Sequence, residues 1–156
     1  RGDRYPAGAG QLPLTGITWE KAMAYCHWLA TQRGWNPADT RLPTHDEYLR
    51  AVRGRTYRGD PMASDYCDRS RLGQRSFFSD VKNVNFDKIF ITDIGQMYDM
   101  IGNAAEWGWD QDNGKRAVLG GDFMQKSADF NPLAIRWRNP TESSEVIGFR
   151  VVHVLQ

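Results

Sequence analysis

From Arg55 to about Asp93 the chain is polar, rich in Gly, Asp, Ser and Asn, and carries few signals of a helix or strand. A long loop in a compact domain is either functional or held by something, and a bound ion is one such holder. The fold must therefore be irregular over much of its length, organised around a few regular elements. The 156 residues suffice for one ordinary domain with a real core, read here as a single domain over residues 1–156. Six Trp, six Tyr and seven Phe among 15 Gly fit a loop-rich domain pinned by large side chains.

The regular elements cluster on either side of that stretch. Residues Arg1 to Gly16 are rich in Gly and Pro and read as an extended lead-in. Thr18 can cap a helix running from Trp19 to about Gln32, with Trp19, Ala22, Cys26 and Leu29 on its buried face and Gly34 as its stop. A second helix follows Pro43. Thr44 and Glu47 form a capping box, in which each side chain satisfies an otherwise orphaned backbone N–H. Leu49 and Val52 share one face of it, and Gly54 ends it. Ala117 to Leu119 reads as a strand before Gly120-Gly121, and Phe149 to Val154 as an alternating closing strand. There are no internal repeats.

Bulk properties exclude some partners. A net charge of +1 gives no global case for nucleic acid. The local run Arg50, Arg53, Arg55 and Arg58 reads as a solvated face or as structural pairing. No apolar run approaches the roughly 20 residues of a membrane span. The chain opens on Arg1 rather than Met and with no signal peptide, so it reads as a fragment or processed form whose localisation is open. The segment from Gly120 to Arg150 contains neither Cys nor His, which removes thiol and imidazole chemistry from it.

Several short motifs stand in one order: Ile17-Thr18-Trp19-Glu20-Lys21-Ala22 with Tyr25-Cys26-His27-Trp28; Arg41-Leu42-Pro43-Thr44 with Glu47-Tyr48; Asp99-Met100 with Gly102-Asn103 and Glu106-Trp107; Gly120-Gly121; and Gly148-Phe149-Arg150. Together, across almost the whole chain, they resemble the formylglycine-generating-enzyme family, also called the sulfatase-modifying-factor domain. The resemblance implies an α+β fold, a variant of the C-type lectin fold, with two helices packed on short twisted antiparallel strands amid much irregular loop. It puts Glu106 beside backbone carbonyls in a turn, and Arg150 in the last strand, where a guanidinium can pair with a carboxylate or carbonyls.

The resemblance also marks a departure. The family's enzymes carry two cysteines shortly after the double glycine, which hold copper and oxidise a substrate cysteine. Their places fall on Gln125 and Phe130, neither of which can act as a thiolate ligand, so no copper is expected. A second branch uses iron held by histidines, but His27, His45 and His153 show no ligand spacing. Cys26 lies where the family often has a bridged helix cysteine, yet the partner position is Val151; Cys26 reads as a buried small hydrophobe, and Cys67 as either free or paired with it. The family's calcium turn maps to Asp99 and Glu106 for carboxylates and Gly102 and Ala104 for backbone oxygens, a structural Ca²⁺ site. The loop Asn83-Val84-Asn85 with Asp87 is a weaker second candidate.

With the catalytic pair gone, the expected function is recognition. The binding surface lies between Asp122 and Val146: Asp122, Phe123, Gln125, Lys126, Asp129, Phe130, Asn131, Trp137 and Arg138, a mixture of aromatics and adaptable polar groups suited to a protein or other macromolecular ligand. Phe123 and Trp137 read equally well as core. A subgroup of the family, the variable proteins of diversity-generating retroelements in bacteria and phage, varies residues just before a closing strand like Ile147-Gly148-Phe149-Arg150-Val151-Val152. The alternatives are an oxidoreductase of the family with an atypical site, drawing on Asp122, Asp129, Arg136 and Arg138, or an accessory or sensor domain of a larger kinase or secretion-system protein.

Overall fold

The computed structural model describes residues 13–53, 89–92, 95–98, 100–122, 124, 131 and 134–155. The first helix, α1, spans Trp19–Arg33. Thr18 caps it by accepting from the Lys21 N–H at 3.3 Å, and the Gly34 N–H closes it on the carbonyls of Ala30 and Thr31. Its buried stripe is Ala22, Met23, Cys26 and Ala30. The expected stripe is thus turned slightly: Trp19 and Leu29 are only half-buried. Small side chains at Ala22, Cys26 and Ala30 let the helix axis come close to what it packs on, and the larger side chains sit at the margin. Burial pushes the Cys26 thiol up to about 11, and the thiol is free, as an inert packing residue should be.

A short strand β1, Thr40–Arg41, leads into helix α2, His45–Arg53. The capping box forms as expected: Glu47 N–H donates to Thr44 Oγ1 at 3.2 Å, and Thr44 N–H donates to Glu47 Oε2 at 2.7 Å. Arg41 adds a two-pronged ion pair to the same carboxylate, at 2.7 and 2.8 Å. Asp110 reaches from elsewhere in the chain to accept from the His45 N–H at 2.7 Å, so a third carboxylate-bearing contact satisfies the start of α2.

Strands β2 (Ile89–Thr92) and β3 (Gly95–Tyr98) pair antiparallel, β2 inside the stretch expected to be loop and β3 just beyond it. The continuous apolar run Ile89, Phe90, Ile91 is short, with only Asp93 and Gly95 as turn residues after it in the sequence, which explains how the surrounding polarity hides it. The candidate ion loop at Asn83–Asp87, together with Gly54 and Cys67, lies outside the described residues.

The central sheet has the order β6-β5-β4-β7, with β4 at Ala105–Asp112, β5 at Lys115–Leu119, β6 at Arg136–Arg138 and β7 at Ile147–Gly148. Asn113 and Gly114 join β4 to β5 with φ 47° and 77°. Two left-handed residues in succession match the twist of a two-residue hairpin, and Asn-Gly is the pair that accepts this geometry most readily. Alternation along β5 divides the core. Val118 and its cross-strand partner Trp107 face α1 with Ala22, Cys26, Leu42 and Ile147, while Ala117 and Leu119 face α2 with Tyr48, Val52, Met100 and Ile101. The sheet is therefore held between the two helices, and each helix has its own apolar cluster.

The closing strand is not one strand. β7 pairs parallel with β4, whereas β8, Val152–His153, pairs antiparallel with β1 in a separate two-stranded sheet. The chain changes sheets between them. Gly148 fits where the lead-in crosses: a Cβ there would lie 2.6 Å from the Leu14 carbonyl oxygen. The lead-in is tied down further by Gly16 N–H to the Ser144 carbonyl at 3.0 Å and by the Trp107 indole N–H to the Ile17 carbonyl at 3.0 Å.

The Arg41–Glu47 pair sets an acid dependence. Hydrogen bonds from Arg41, aided by the Thr44 N–H, hold the Glu47 carboxyl down at about 2 against an ordinary 4.5, despite the opposing effect of burial. Because the folded-state value lies below the unfolded one, the stability Glu47 contributes is present above pH 4.5 and is lost as the pH falls towards about 2. Urea midpoints measured over this range should fall less steeply for Glu47→Gln than for the parent.

Candidate functional site

The segment that follows the double glycine is anchored at both ends by one ion pair. Asp122 is 4% exposed, and its Oδ2 accepts from Arg136 Nη2 at 3.1 Å while its Oδ1 accepts from the Met124 N–H at 3.0 Å. Asp122 stands just past the end of β5, and Arg136 opens β6 as the register partner of Val118. The chain between them thus leaves and re-enters the sheet at neighbouring points. A buried carboxylate needs such a partner, because an unpaired charge away from water is expensive.

This placement changes the role expected of Asp122. Its carboxylate is buried and committed to Arg136 and to the Met124 N–H. Trp137 is half-buried and packs against the apolar cluster under α2, opposite Ala117, so it supports the surface from below. Arg138 is exposed, with a 3.6 Å ion pair to Glu142 across one helical-turn spacing of sequence. Asn131 is exposed, and its carbonyl accepts from the Ala134 N–H at 3.0 Å. Phe123, Gln125, Lys126, Asp129 and Phe130 lie outside the described residues.

The expected calcium turn lies on the other side of the same sheet end. Gly102 and Asn103 are both left-handed, with φ 79° and 61°, and the Gly102 N–H donates to the Gly120 carbonyl at 2.8 Å, tying this turn to the double glycine. Glu106, expected in the turn, is instead inside β4 as the partner of Leu119 on one side and Gly148 on the other. Both its carboxylate oxygens accept from Arg150, from Nε and from Nη2, each at 2.5 Å. A carboxylate is among the partners Arg150 takes. The guanidinium thus occupies the place beside Glu106 that a cation would need, and Glu106 does not fit as a free calcium ligand. Asp99 lies outside the described residues, which leaves Gly102 and Ala104 as the positioned members of that set. Among the described residues no three His, Cys, Asp or Glu side chains converge to hold a metal ion.

These motifs are spread along nearly the whole chain, and a model of the sulfatase-modifying factor enzyme 1-like domain matches residues 2–155. The chain belongs to this family. Solved structures share the fold of this sulfatase-modifying-factor domain at low identity. Treponema denticola variable protein 1 superposes with a TM-score of 0.73 at 20% identity, over 97% of this chain and 76% of that one. CarF gives 0.70 at 22%, over 99% and 72%. PvdO from Pseudomonas aeruginosa gives 0.70 at 19%, over 97% and 65%. A search of the curated proteins found no match. The two helices and the curled mixed sheets are those of the C-type-lectin-like variant that the family adopts.

Sequence reading missed one prominent surface feature, the β4–β5 hairpin with the exposed Trp109 and the half-buried Arg116. The signal that marks it is Asn113-Gly114. Among the described residues no helix is long and apolar enough to cross a membrane.

The Glu106–Arg150 pair should be the most sensitive point of this region. Arg150→Met strands a buried carboxylate, and equilibrium unfolding in urea should show a loss of about 3–5 kcal/mol. The double variant Glu106→Met/Arg150→Met should recover a measurable part of that loss.

Proposed function

We propose that this sulfatase-modifying-factor domain is a non-catalytic recognition module that displays residues between Asp122 and Val146 to a macromolecular ligand. The observation that carries the reading is a retained frame around a site without its chemistry. The frame consists of the Gly102–Gly120 link, the Asp122–Arg136 anchor and the Glu106–Arg150 pair. Within it, the positions where the family's enzymes keep two cysteines are Gln125 and Phe130. An amide and a phenyl ring offer no thiolate to hold copper.

The finer form of the proposal is the variable protein of a diversity-generating retroelement, with the displayed residues changing between copies. It is supported by the shared fold with Treponema denticola variable protein 1 and by the way the segment is held. The residues flanking it are held by the Asp122–Arg136 ion pair and by Trp137 packed on the α2 cluster, which leaves stability largely independent of what the segment displays. The ligand is then a protein or other macromolecule, met by adaptable polar side chains interspersed with aromatics.

The test replaces Gln125, Lys126, Asp129 and Phe130 together by several different residue sets. Each set should leave the unfolding free energy within about 1 kcal/mol of the parent. Asp122→Ala, which strips Arg136 of its partner, should cost more than any of them. A large loss for every set, or turnover of a cysteine-containing peptide by the copper-loaded parent, would overturn the display reading.

A structural Ca²⁺ at the 99–106 turn belongs to the same reading. It would be held by Asp99 and by the carbonyls of Gly102 and Ala104, with Glu106 left to Arg150. The support is the family's pattern and the tight left-handed turn at Gly102 and Asn103. An ion that binds only the folded state raises the melting temperature with its concentration. Millimolar Ca²⁺ should therefore raise the midpoint above that seen with a chelator, and an unchanged midpoint removes the ion from the proposal.

A further inference from the structure

The outer end of the β4–β5 hairpin gathers cationic and aromatic side chains at the margin of the core. The Arg116 guanidinium lies over the Trp19 ring, with its central carbon 3.8 Å from the ring centroid. Trp19 is itself fixed, because its indole N–H donates to the Gly108 carbonyl at 2.9 Å. Trp109 stands beside it at 6.1 Å between ring centroids and is 39% exposed. One Arg116 nitrogen, Nη1, donates to the Trp109 carbonyl at 3.0 Å. The guanidinium is thus clamped on one face by an indole and at one corner by a backbone oxygen.

Among the described residues Arg116 forms no ion pair. Its cross-strand partner on β6 is another arginine, Arg138. Residues directly opposite each other across an antiparallel pair share a face, and like charges there are unfavourable. Arg138 has Glu142 at 3.6 Å, with both side chains about half exposed, a pair of the weak surface kind. Arg41, near the Trp109 ring at 5.9 Å, already has its charge met by Glu47. Burial lowers the Arg116 pKa from its usual value, as expected of a cation that has lost water without gaining a carboxylate.

We propose that Arg116, clamped between Trp19 and the Trp109 backbone and joined across the strand pair by Arg138, is a binding site for a carboxylate group of an acidic protein ligand. A carboxylate is planar and accepts two parallel hydrogen bonds from a guanidinium. The Arg116 side chain is already ordered, so little rotamer freedom remains to be lost on binding. The incoming charge would also relieve the repulsion between the two arginines. A nucleic-acid backbone fits less well, because a net charge of +1 gives the chain no global field to draw in a polyanion. The site stands beside the segment proposed for display but does not depend on it, since every group in it lies on α1, β4, β5 or β6.

The test titrates the whole chain with hexaglutamate peptide at low salt and follows the indole N–H resonances of Trp19 and Trp109. Both should shift saturably, the affinity should fall as salt is raised, and hexaglutamine should have no effect. Arg116→Gln should weaken binding by about tenfold or more with the fold retained. Arg116→Lys should not restore it, because a lysine keeps the charge but cannot present two coplanar donors. If Arg116→Gln does not fold, the exposed Arg138→Gln decides: a several-fold loss supports the site, and unchanged affinity overturns it. No saturable shift, equal binding by folded Arg116→Gln, or tighter binding of single-stranded DNA or inorganic phosphate than of hexaglutamate would also overturn the proposal. None of these outcomes bears on whether residues 123–131 tolerate replacement, so the two readings fail separately.

Discussion

A single buried ion pair, Glu106 with Arg150, joins the parts of this fold that sequence order keeps apart. Glu106 sits in the middle of the four-stranded sheet, hydrogen-bonded neighbours on both sides, and Arg150 sits where the chain leaves that sheet for another. A carboxylate that far inside is costly unless a cation meets it with good geometry, and a guanidinium contributing two donors does so. The pair therefore constrains where the end of the chain can go. With Arg150 fixed on β4, β7 must lie parallel beside β4 and β8 must pass on to β1. The lead-in, strapped over Gly148, and the α1 cluster around Trp107 and Ile147 then have one arrangement available.

The helices were legible in the sequence because their signals are local. Thr18 and Gly34 bracket α1, and Thr44 and Glu47 announce α2 through a hydrogen-bond exchange that needs no tertiary context. The sheet was less legible. β4 carries Glu106, Gly108, Asp110 and Gln111 in place of the β-branched residues that usually mark a strand, and it is long because β5 and β7 both pair with it. The closing strand expected over Phe149 to Val154 is a strand only at Val152–His153, since nothing local in the run says that its start serves as the crossing from the sheet of β7 to that of β8. The hairpin turn at Asn113-Gly114 was readable by rule and was passed over.

The candidate site was legible in its chemistry and less so in its geometry. Absence of cysteine at Gln125 and Phe130 is a fact of sequence. That Asp122 is buried on Arg136, and that Glu106 is committed to Arg150, are facts of long-range pairing that residue types alone leave undecided. In both cases an acidic residue that looked available for a ligand or an ion turned out to be paired within the frame. Among the described residues, Arg116 on β5 and Arg138 on the edge strand β6 face each other across the sheet.

The parallel pairing of β4 with β7 also bears on how the domain can change length. The whole excursion through β5, the anchored segment and β6 must be laid down before β7 can close against β4. The entropy of closing such an excursion grows only logarithmically with its length, so doubling a flexible loop adds only about 0.6 kcal/mol. Residues added or removed between Asp122 and Arg136 would therefore burden closure little, so long as the two anchoring residues stay in register with the sheet. The architecture is permissive towards insertions and deletions between these two anchors.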